Sequence, residues 1–66
     1  MNASEVSIRY CVGSKGSRKG ILEVWTTRDE YKAQIEHVFR TNQHITLAQV
    51  FDEYGDFIEQ YERTKA

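Results

Sequence analysis

The chain has 66 residues and a mass of 7.7 kDa, with nine Lys and Arg against ten Asp and Glu, for a formal net charge of -1. That length allows one small domain over residues 1–66. No apolar run approaches the roughly 20 residues of a membrane-spanning helix, one cysteine cannot close an intrachain disulfide, and 12% aromatic residues at near-zero charge do not suit a disordered chain.

Residues 6–12 alternate strictly. Val6, Ile8, Tyr10 and Val12 fall on one face, and Ser7, Arg9 and Cys11 on the other. That is the period of a half-buried strand. Residues 21–27 form a second β-rich run. The Gly- and Ser-rich stretch 13–20 between them reads as a hairpin connection. A two-residue turn at Gly16-Ser17 sets Val12 against Ile21 and Ile8 against Trp25. A register one residue away puts Leu22 and Val24 on the Val6–Val12 face instead.

Residues 28–41 read as a helix. Thr27 and Glu30 have the spacing of a capping box. Tyr31, Ile35, Val38 and Phe39 recur at the spacing of one buried helical face, and Asn42 is a plausible stop. Residues 46–63 show a longer stripe: Leu47, Val50, Phe51, Tyr54, Phe57, Ile58 and Tyr61, with Thr46 and Gln49 as a second capping box. The stripe predicts a second helix, at a cost of about 1 kcal/mol for Gly55 in its interior. The alternative is a second hairpin that turns at residues 52–56. The expected fold is thus α+β, an N-terminal hairpin followed by two helices (ββαα), with a possible third strand near residues 44–47.

Charge is unevenly placed. Arg9, Lys15, Arg18 and Lys19 are basic with no acid among them. Asp52, Glu53, Asp56, Glu59 and Glu62 are acidic with no base among them. Such runs are ordinarily solvated faces. The sharper reading gives each a charged partner. Arg9, Lys15, Arg18 and Lys19 on a Gly-rich hairpin suit contact with a nucleic-acid backbone. The spacing is not that of a phosphate-cradling P-loop. The acidic segment suits a nucleic-acid mimic, although the near-neutral total charge argues against it.

Catalytic chemistry finds little support. His37 and His44 lie seven apart with no paired cysteines, so zinc is not expected. Cys11 sits within a strand, where a thiol is usually a small hydrophobe. Asp52, Asp56 and Glu59 share one face of the predicted helix at a spacing normal for solvated carboxylates. No cofactor, metal or enzymatic activity is expected. The leading expectation is a small binding protein, a regulator or inhibitor, that engages another protein. It would do so through Trp25, Tyr54, Phe57, Tyr61, Asp52, Asp56 and Glu59 on an aromatic, acidic C-terminal helix, or through an open sheet edge. Eight aromatic rings and a two-stranded sheet leave apolar surface, so a homodimer, or a monomer held stable by a partner, is also expected. With a single cysteine and no basic-then-apolar leader pattern, the expected location is cytoplasmic.

Overall fold

The computed structural model describes residues 5–14 and 16–63. Four strands and one helix follow in the order β1 (Glu5–Val12), β2 (Lys19–Thr27), α1 (Tyr31–Thr41), β3 (Ile45–Phe51) and β4 (Phe57–Glu62). All strand pairs are antiparallel, and the sheet order is β2-β1-β3-β4. β1 therefore lies between β2 and β3, and α1 carries the chain across it.

The alternation of β1 is realised. Val6, Ile8 and Tyr10 are fully buried on the helix side of the sheet, together with Ala48 and Val50 from β3 and Tyr31 and Ile35 from α1. The hairpin adopts the shifted register: Ile8 faces Val24 and Tyr10 faces Leu22. The two-residue turn is not formed. The connection is longer, with the Ser17 N–H donating to the Ser14 carbonyl at 3.0 Å and a positive φ of 100° at Gly13. A Cβ at Gly13 would lie 2.9 Å from the Ser17 carbonyl oxygen, so this position requires glycine.

The helix starts three residues later than the sequence suggests. Thr27 does meet Glu30, its hydroxyl donating to the Glu30 carboxylate at 3.3 Å. The Glu30 N–H also donates to the Thr27 carbonyl at 3.1 Å. These bonds close a turn that precedes α1 rather than its first helical turn.

The second helix is absent, and the ββαα expectation is overturned. Residues 45–62 form β3, a turn and β4. Asp52 holds that turn. Its Oδ1 accepts the N–H groups of Tyr54 and Asp56, both at 2.9 Å. Gly55 takes a φ of 88°, a value that favours glycine. The supposed second cap is also used otherwise: Thr46 donates its hydroxyl to the Gly13 carbonyl at 2.7 Å, tying β3 to the first hairpin. A bulge at Val50/Phe51 resets the phase of β4. It sets Phe57 opposite Phe51 on the open side and leaves Ile58 to pack on the core.

α1 packs toward β3, with its first turn reaching β4 through Tyr31. β2 is left at the uncovered edge. Its burial is low along most of its nine residues, and Ile21, Leu22 and Trp25 are 53%, 50% and 55% exposed. No helix among the described residues is long and apolar enough to cross a membrane.

Candidate functional surface

The helix covers one side of the sheet; among the described residues no helix or strand covers the other, the open side, although Ser7, Cys11 and Leu47 are buried there. Register places its residues in rows across the strands. One row reads Trp25, Ser7, Phe51, Phe57; the next reads Glu23, Arg9, Gln49, Gln60. Small Ser7 between two rings leaves a groove of about 320 Å³, rimmed by Glu23, Asp52 and Glu53. The Arg9 guanidinium lies 5.9 Å from the centroid of the Phe51 ring. The Phe51 and Phe57 rings meet edge to face at 5.9 Å.

The structure divides the sequence-derived protein-binding residues among three places. Trp25 and Asp52 line the open-side groove, and Phe57 extends its aromatic row. Tyr54 and Asp56 belong to the β3–β4 turn, where Tyr54 is 82% exposed. Tyr61 and Glu59 lie on the helix side, so they form no shared helical face with the others. Ser7 and Phe51 were not singled out by sequence. Their juxtaposition arises from the β1–β3 pairing, which joins residues 44 apart.

The basic set does not form one patch. Arg18 pairs with Glu62 on β4, and its side chain is only 21% exposed, against the expectation of a solvent-facing residue. Arg9 faces the open groove, Lys19 starts β2, and Lys15 lies outside the described residues. His37 and His44 are exposed and Cys11 is buried within β1. Among the described residues no group of three His, Cys, Asp or Glu side chains converges as a metal site.

On the helix side Glu59 accepts hydrogen bonds from the Tyr31 hydroxyl and, at 3.1 Å, from Tyr61. The bond from Tyr31 holds the Glu59 carboxyl below its usual range. The same bond, followed by burial, pushes Tyr31 up to about 12. Burial, followed by the bond to Glu59, raises Tyr61. The depressed carboxyl contributes stability above the unfolded pKa of about 4.3 that is lost as pH falls through its folded value. The raised phenol contributes stability below about 10 that is lost as pH rises through its folded value. The link is therefore intact between those limits. Tyr31→Phe should cost about 1.5 kcal/mol at pH 7, with a smaller difference at pH 3, as read by urea denaturation. An equal cost at both pH values would show that the link to Glu59 contributes nothing.

Known proteins offer no guide to this surface. No family model matches the chain, and neither a curated protein nor a solved structure is similar to it. The functional reading rests on geometry.

Proposed function

We propose that the chain is a small, non-enzymatic protein-binding module that engages its partner through the β2 edge of its sheet. A module of this kind acts by occupying the surface of a larger protein, as a regulator or inhibitor does. One observation carries the reading. β2 is a nine-residue edge strand, uncovered by α1, with Ile21, Leu22 and Trp25 half exposed. Edge strands present unpaired backbone N–H and C=O groups, and natural proteins ordinarily blunt them. A long apolar edge is the surface to which a partner strand adds. The interrupted basic set gives less support to a nucleic-acid reading, since Arg18 is already paired with Glu62.

Leu22→Asp tests the proposal. The side chain is half exposed at an edge, so the fold should survive, as circular dichroism can check. Capture of the partner should weaken about 30-fold, the size of a hot-spot loss of about 2 kcal/mol. Arg40→Ala on the outer face of α1 should leave capture unchanged. Equal capture by wild type and Leu22→Asp would refute edge binding. A second copy is the competing occupant, and sedimentation at micromolar concentration identifies it. Two β2 strands paired antiparallel about Val24 bring Ile21 of one copy to Thr27 of the other. The same pairing sets Glu23 against Trp25.

A further inference from the structure

We propose that the open-side groove between Trp25 and Phe51 is a receptor for a cationic side chain, a lysine or arginine carried by the protein partner. The inference deepens the protein-binding reading and rests on it for the source of the cation.

Strand geometry supplies the dimensions. Trp25 on β2 and Phe51 on β3 both pair with Ser7 on β1. Adjacent strands lie about 4.8 Å apart, so the two aromatic positions flank Ser7 at a separation of about 10 Å. A cation seated above Ser7 is then within about 6 Å of both rings, the range in which a ring face attracts it. A larger residue at position 7 would fill the notch.

Electrostatics select the sign of the guest. Glu23, Asp52 and Glu53 stand at the rim against one cation, Arg9. Glu23 and Glu53 have no ion-pair partner among the described residues. A phosphate backbone would meet three carboxylates, whereas an ammonium or guanidinium would be attracted by them.

Two further observations point to a ligand. Ser7 is only 5% exposed, lines the groove, and has no side-chain hydrogen bond among the described residues. Its hydroxyl oxygen is available to accept a hydrogen bond from an entering ammonium. Arg9 already lies over the Phe51 ring although it faces Glu23 across the strands, and no salt bridge joins the two. The ring thus already has a guanidinium from within the chain at the outer limit of the cation–π range. Arg9 is also the one like charge among the described residues that line the groove, so it weakens entry.

The test uses the full chain and a defined probe pair, N-acetyl-lysine methylamide and N-acetyl-norleucine methylamide, which differ in the charged terminus. The Trp25 indole N–H resonance reports binding. The lysine probe should move it saturably at millimolar concentration, and the norleucine probe at least tenfold more weakly. Arg9→Gln should tighten the lysine probe at least threefold. Glu23→Gln with Glu53→Gln should weaken it at least threefold, and Trp25→Leu should remove the response when read from Ser7 and Phe51 amides. Leu22 lies on the other side of the sheet, so Leu22→Asp should leave probe affinity unchanged. Failure here is thereby distinguished from failure of edge binding. Equal responses to the two probes, no saturable response, or weaker binding in Arg9→Gln would overturn the proposal.

Discussion

Arg63→Ala should destabilise the protein by about 3 kcal/mol and lower its melting temperature by about 15 °C. This one side chain fastens the end of α1 to the sheet. Its Nε donates to the Ile45 carbonyl at 2.8 Å, and one terminal nitrogen donates to the carbonyls of Phe39 and, at 3.1 Å, Asn42. Its guanidinium also stacks 4.9 Å from the Phe39 ring centroid. Carbonyls at a helix C-terminus lack intrahelical partners and carry partial negative charge. A guanidinium satisfies several of them at once because its donors form a planar fork. Hydrogen bonds from a charged donor contribute about 1.5–3 kcal/mol each where buried. The partial exposure of this site brings their sum down to the figure stated. Arg63→Lys keeps the charge but lacks the fork, so it should recover less than half of the loss. A cost for Arg63→Ala below about 0.5 kcal/mol, within the range of neutral surface substitutions, would show that the clamp does not hold α1.

Asp52→Ala should cost about 2 kcal/mol, because both of its side-chain bonds are to backbone N–H groups of the β3–β4 turn. Asp52→Asn retains an acceptor oxygen in the same place and should recover most of that loss. The prediction bears on the groove as well, since Asp52 and the turn form one of its walls. In Asp52→Ala the amides of β4 should lose hydrogen-exchange protection before those of β1. Uniform loss across all four strands would mean that the turn is not a local determinant of the second hairpin.

Much of the first half of this fold is legible in the sequence. β1 alternates because one of its sides meets the helix and the other carries Ser7 and Arg9. α1 shows its Tyr31–Ile35 face for the same reason. The second half misleads for identifiable reasons. β3 is an interior strand, and Leu47, Ala48 and Val50 are buried although they lie on both of its sides. A strand buried on both sides does not alternate. The bulge at Val50/Phe51 then shifts the phase of β4, so apolar positions from two strands imitate a helical stripe. The stronger local signal was Asp52 three residues before Gly55, a side-chain-closed turn of the kind Asp favours. Of the open-side site, Trp25 is readable from sequence as an aromatic residue at the end of β2. Phe51 and Ser7 are not, because only the β1–β3 pairing brings them beside Trp25.

The central claim is that β2 is the surface through which the protein meets its partner. Site-specific photo-cross-linking in living cells tests it most directly. A photoreactive side chain at Leu22, half exposed on β2, is compared with one at Arg40, exposed on the far end of α1. The account predicts a discrete covalent adduct with another polypeptide from position 22 and none from position 40. Adducts with nucleic acid, or equal protein adducts from both positions, would contradict it.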